Sequence, residues 1–89
     1  MEDSRYDYDL EKVSYDDLKE ILACGREIEF YYKGVRYSIT HVASGFSLCR
    51  YHSPDPWNFP DDQELLKKAR IDGKSLKKIW GEVTVEEIF

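Results

Sequence analysis

The stretch Glu27-Ile28-Glu29-Phe30-Tyr31-Tyr32-Lys33-Gly34-Val35-Arg36-Tyr37-Ser38-Ile39-Thr40 constrains this chain more than any other. Two runs rich in aromatic and β-branched residues flank Lys33-Gly34, a pair suited to a two-residue turn that needs positive φ. A hairpin closed there pairs Tyr32 with Val35, Phe30 with Tyr37 and Ile28 with Ile39. That register puts six apolar or aromatic side chains on one face and leaves Glu29, Tyr31, Arg36 and Ser38 on the other. A slip of one residue would turn every one of these side chains to the wrong side, so the pattern specifies a two-faced sheet.

Helical signals surround the hairpin. Ser14 is a good N-cap with Asp17 three residues on, and Tyr15, Leu18, Ile21 and Leu22 recur at helical spacing before Cys24-Gly25, which predicts a helix over 15–24. A third strand is expected over 46–51, after Ala43-Ser44-Gly45. The favoured loop sets Phe46 and Leu48 on the core face beside His41 and Ile39; a loop one residue shorter would set Cys49 and Tyr51 there. Pro54, Pro56 and Pro60 argue against regular structure in the segment that follows. Asp61 and Glu64 then start a helix over 62–70, with Leu65, Leu66, Ala69 and Ile71 as its apolar face. Asp72-Gly73 breaks the chain, and Asp72 is expected to cap a third helix carrying Leu76, Ile79, Trp80 and Val83. Val83 to Phe89 is either a closing strand or an extended tail.

The expected fold is a two-layer α+β domain of order α-β-β-β-α-α, with a possible C-terminal strand. Its antiparallel three-stranded meander is covered on one face by helices. Residues 13–89 form the single domain, and residues 1–12, acidic and without apolar periodicity, are expected as a mobile or loosely docked tail. Leu, Ile, Val and Phe number 22 of 89 residues, enough for a core but leaving little room for a deep enclosed active site.

Charge is unevenly spread. The net charge is −5, yet residues 1–29 carry ten acids against four bases, while 65–81 carry six bases against one acid. Such a dipolar chain can steer a partner of either sign. The longest uninterrupted apolar run, Ile21-Leu22-Ala23-Cys24, falls far short of the roughly 20 residues that span a bilayer. The acidic start lacks the features of a secretory signal, so a cytoplasmic location is expected, with no membrane partner and with Cys24 and Cys49 reduced and half-buried.

Catalytic signals are weak. The histidines, His41 and His52, sit at two strand ends and in no nucleophile motif. Asp16-Asp17, Asp61-Asp62 and Glu86-Glu87 are adjacent pairs, and neighbours on a helix point about 100° apart, which suits helix-start charges better than acid–base work. Cys49 and His52 have C-x-x-H spacing but lack the second pair a zinc site wants, and the five glycines form no phosphate-binding loop. No enzyme activity, metal or cofactor is expected.

Binding signals are stronger. Trp57 and Phe59, held between prolines, are candidate partner-binding anchors or, alternatively, a cap over the core; Tyr31 and Arg36 on the open sheet face complete the partner-binding set. The acidic segment holding Asp3, Asp7, Asp9, Glu11, Asp16, Asp17 and Glu20, interleaved with Tyr6, Tyr8 and Tyr15, could mimic nucleic-acid charge or be a solvated tail. Lys67, Lys68, Arg70, Lys74, Lys77 and Lys78 span two expected helices in a superficial helix-turn-helix, the basis of an alternative nucleic-acid reading. Stacking of unpaired bases on Tyr31, Arg36 and Tyr51 is a further nucleic-acid option, and a homodimer through an open edge or face is also allowed.

The run from Tyr15 through Gly25 to Thr40, with Glu64-Leu-Leu-Lys-Lys-Ala-Arg-Ile-Asp-Gly-Lys-Ser-Leu-Lys-Lys-Ile-Trp80, resembles small uncharacterised α+β proteins of Gram-positive bacteria and their phages or mobile elements. The resemblance assigns no catalytic residues. It implies a context in which small proteins act by binding, including as inhibitors of bacterial defence proteins, and the expected partner is accordingly another protein.

Overall fold

A computed structural model of the chain describes residues 8–53 and 55–89. After the capping box of Ser14 and Asp17, helix α1 (Tyr15–Ala23) buries Leu18, Ile21 and Leu22. It stops at Gly25, whose φ of +77° lets its own N–H reach the Leu22 carbonyl and the Arg26 N–H reach that of Ile21, a Schellman closure. Strands β1 (Ile28–Tyr32) and β2 (Val35–Val42) follow, joined by Lys33 and Gly34, both at positive φ. Their register is the one the alternation demands: Tyr32 opposite Val35, Phe30 opposite Tyr37, Ile28 opposite Ile39.

Strand β3 (Gly45–Arg50) sets Leu48 opposite Ile39 and Phe46 opposite His41, the favoured of the two registers. Strand β4 (Trp57–Phe59) then pairs with β3, so the proline-rich segment does contain regular structure. The prolines are compatible because Pro56 and Pro60 flank this edge strand, and neither removes a ladder donor from it.

Helix α2 (Asp62–Lys68), capped by Asp61, ends two residues earlier than expected. The chain turns extended at Ala69 to make a small ribbon of β5 (Arg70–Ile71) and β6 (Lys74–Ser75). Asp72 (φ 58°) and Gly73 (φ 75°) are the hairpin turn of that ribbon, not a helix cap. Ser75 caps the third helix instead, and α3 (Leu76–Ile79) is one turn long before a 3₁₀ turn at Trp80–Glu82. Strand β7 (Val83–Ile88) closes on β1 with a bulge at Glu29/Phe30, resolving the carboxyl end as strand. The sheet is therefore antiparallel and five-stranded, in the order β4-β3-β2-β1-β7, rather than a three-stranded meander.

One face carries the core. Ile28, Phe30, Ile39, Phe59 and Ile88 meet Leu18, Ile21, Leu65, Leu76 and Ile79 from the helices, all of them 5% exposed or less. Phe30 lies at its centre, stacked on Tyr37 at 5.5 Å and edge-on to Trp80 at 5.3 Å. Cys24 is exposed, Cys49 half-buried, and both are free thiols. Among the described residues no helix is long and apolar enough to cross a membrane.

Of the expected amino-terminal tail, residues 1–7 lie outside the described residues; Tyr8 to Lys12 is docked. Leu10–Lys12 forms a 3₁₀ turn beside β7, Trp80 donates its indole N–H to the Val13 carbonyl at 3.0 Å, and the Tyr8 hydroxyl donates to Glu20. The Glu20 carboxylate, which accepts that bond, holds the Tyr8 hydroxyl protonated and raises its pKa to about 12. A folded value above the unfolded one means that this contact stabilises fully below pH of about 10 and is lost as pH rises toward about 12. An ultraviolet phenolate titration should therefore show one tyrosine ionising late, near pH 12, and Tyr8→Phe should remove that step. A late step that survives Tyr8→Phe would place it on another tyrosine.

Candidate protein-docking surface

The helices cover the sheet unevenly, and the uncovered part is the end that carries the β1–β2 turn. Alternation sends Tyr37, Arg50 and Trp57 to the helix-side face, but at this end only the β5–β6 ribbon overhangs them, tied down by Lys33 Nζ to Asp72 Oδ2 at 3.3 Å. On the opposite face, which bears no helix among the described residues, Arg36 makes an ion pair with Glu29 and lies 5.6 Å from the ring centroid of Tyr51. That carboxylate raises the pKa of the guanidinium further. Tyr51 is 60% exposed; its backbone N–H extends the ladder to the Arg36 carbonyl at 2.9 Å.

Arg50 joins the two faces around the rim. Four shallow depressions, of about 260, 400, 270 and 190 Å³, all have Arg50 in their lining. On the outer face they are walled by Tyr31, Arg36, Tyr51 and His52; on the helix side, by Tyr32, Tyr37, Ile71 and Trp57. Burial pushes the Tyr37 phenol up in pKa, and the Arg50 cation, opposite it on β3, opposes that rise. Among the described residues the Arg50 guanidinium has no hydrogen bond or ion pair; the backbone carbonyl accepts from the Ser53 N–H at 2.9 Å.

The sequence-derived candidates divide accordingly. Trp57 and Phe59 point to the same face, their rings 5.1 Å apart, but Phe59 lies under the helical layer at 5% exposure whereas Trp57, 42% exposed, lies past its end. Phe59 therefore belongs to the core, and Trp57 to the surface. Tyr31 and Arg36 are on the opposite face from Trp57, and Arg50, which periodicity alone marks as one more inward position, brings the three together. Its charge on a core-facing register was the available signal.

The basic run is not a helix-turn-helix. Lys67 and Lys68 end α2, the ribbon intervenes, Lys74 lies in that ribbon, and Lys77 and Lys78 sit on the single turn of α3. Lys68 pairs with Glu64, and Arg70 donates to the carbonyls of Lys67 and Ala69. Four of the described acids of the amino-terminal segment are engaged nearby: Asp9 accepts from the Glu11 N–H, Asp16 pairs with Lys19, Asp17 closes the capping box and Glu20 accepts from Tyr8. His41 stacks on Phe46 at the far end of the β2–β3 hairpin from His52. Among the described residues no group of three His, Cys, Asp or Glu side chains is placed to hold a metal ion.

No family model, curated protein or solved structure matches the chain. The functional reading rests on the site itself.

Proposed function

We propose that this chain is a protein-interaction module that works by binding, not catalysis, and docks another protein on the Arg50 end of its sheet. One observation carries the reading: four adjoining depressions share an uncompensated arginine and are walled by tyrosines, a tryptophan and a second arginine. Trp, Tyr and Arg are the residues that dominate binding energy at protein interfaces, because they add large contact area and directional hydrogen bonds at modest entropy cost. A net charge of −5 favours a protein over a polyanionic nucleic acid as the occupant.

The sheet edges support a face rather than an edge as the contact. Strand β4 is three residues between prolines, and β7 has the Leu10–Lys12 turn packed beside it, so neither offers a long open template for strand addition by a second copy. In the context implied by the resemblance to small phage or mobile-element proteins, the partner is a bacterial protein whose activity docking blocks, a defence protein being the natural target.

Capture from bacterial lysate on the immobilised chain, repeated after nuclease and at high salt, tests the reading. A protein retained through both treatments is expected, and Trp57→Ala or Tyr51→Ala should release it. Trp57 is already 42% exposed, so its replacement should cost only about 1 kcal/mol and a few degrees of melting temperature. Retention unchanged in both variants would remove the site. Nucleic acid recovered without nuclease and lost at high salt would move the function to Lys67, Lys68, Arg70, Lys74, Lys77 and Lys78.

A further inference from the structure

Three of the cations around the docking end have their donors engaged within the chain. Lys33 is matched by Asp72 and Arg36 by Glu29, while Arg70 spends its guanidinium on two backbone carbonyls of its own segment. Of these four cations, only the Arg50 guanidinium has no hydrogen-bonding or ion-pair partner among the described residues. Its planar fork of donors matches a carboxylate in two parallel hydrogen bonds. Beside it, in the depression between Lys33 and Arg50, lies Tyr32, whose hydroxyl is buried without a hydrogen-bond partner while the residue as a whole is 2% exposed.

The space around these two groups limits what fits. The Tyr32 depression and the Trp57 depression share Tyr37, Arg50, Ile71 and Asp72, so they form one continuous groove of about 270 and 190 Å³ in its two parts. Such a groove is too small for a helix of about 10 Å diameter but admits an extended chain. Asp55 also lines it, beside the Asp72 that Lys33 neutralises, so a run of negative charge would be repelled by Asp55 where a single carboxylate on Arg50 would not.

We infer that the docked part of the partner is an extended peptide segment carrying one Asp or Glu, its carboxylate on Arg50 and an adjacent apolar side chain against Trp57. This rests on the docking reading above and gives it a ligand chemistry. Arg50 selects for the acid, and Trp57 and Tyr37 select for the apolar neighbour. The flanking Asp55 rejects polyacidic segments.

Selection of short random peptides displayed on phage against the immobilised chain tests this. Peptides with one acidic residue beside an apolar one are expected to be enriched. A synthetic copy of the commonest should bind at least about tenfold more weakly to Arg50→Gln, the loss expected for a charged hydrogen bond. Arg50 is exposed, so that variant should fold as the parent does, and Lys77→Gln serves as a charge-matched control that leaves the affinity unchanged. Enriched peptides with no acidic position, no enrichment at all, or an affinity indifferent to Arg50→Gln would each overturn the inference. So would a single-stranded oligouridine that binds the chain through Arg50 and displaces the peptide. Peptides without an acid whose binding is lost in Trp57→Ala would overturn this inference while leaving the docking reading in place; the lysate capture judges that reading independently.

Discussion

Replacing Phe30 by alanine is expected to lower the melting temperature by about 15–30 °C, the largest effect of any single side chain in the fold. Phe30 is fully buried on β1, the strand between β2 and β7, and its ring meets Tyr37 and Trp80. Truncation removes the contacts of a full aromatic ring and leaves a cavity between sheet and helices, which costs about 3–5 kcal/mol. A domain of this size has only about 4–13 kcal/mol in total, so a sizeable unfolded population follows at ordinary temperatures. Far-ultraviolet circular dichroism during heating measures this directly. A fall of less than about 5 °C would mean that the core is centred elsewhere.

Gly45→Ala is expected to detach β4 and so couple the fold to the docking surface. The added Cβ would sit 2.0 Å from the Phe59 carbonyl oxygen and 2.7 Å from the Pro60 backbone, with φ at +138°. Both obstacles are main chain, so no side-chain rotation relieves them. The strand must move away, exposing Phe59 and breaking the Ser47–Asn58 hydrogen bond, at a cost of about 2–4 kcal/mol. Because Trp57 is on the same strand, its fluorescence should shift to the red in a Trp80→Phe background, and partner capture should fail as in Trp57→Ala. The two variants differ in that Gly45→Ala loses stability as well. Unaltered emission and melting would show that β4 does not depend on close approach at Gly45.

The β1–β2 register was legible from sequence because a two-residue turn and strict alternation leave one solution, and the same logic placed Tyr31 and Arg36 on the outer face. Capping chemistry likewise marked the start of α1, where Ser14 and Asp17 satisfy each other's backbone donors. Two features were harder to read. Asp72-Gly73 is both a helix-start and a hairpin-turn signal, and the four residues Arg70–Ile71 and Lys74–Ser75 are too short to show a strand period. Strand β4 was hidden because prolines were read as interrupting a strand that they in fact border. Arg50 and the separate fates of Trp57 and Phe59 share one cause. Periodicity reports which face a residue takes, but not how far along the sheet the helices extend, and that boundary falls between Phe59 and Trp57.

The proposal that a partner protein meets the chain around Arg50 is tested most directly by amide hydrogen exchange with and without the captured partner. Slowed exchange is expected over residues 34–37, 50–52, 57–58 and 70–72, which frame the four depressions on both sides of the rim. Slowing confined to 74–78, or to α1 and the turn before it, with the Arg50 end unchanged, would contradict the assignment and place the interface on the basic or the acidic surface instead.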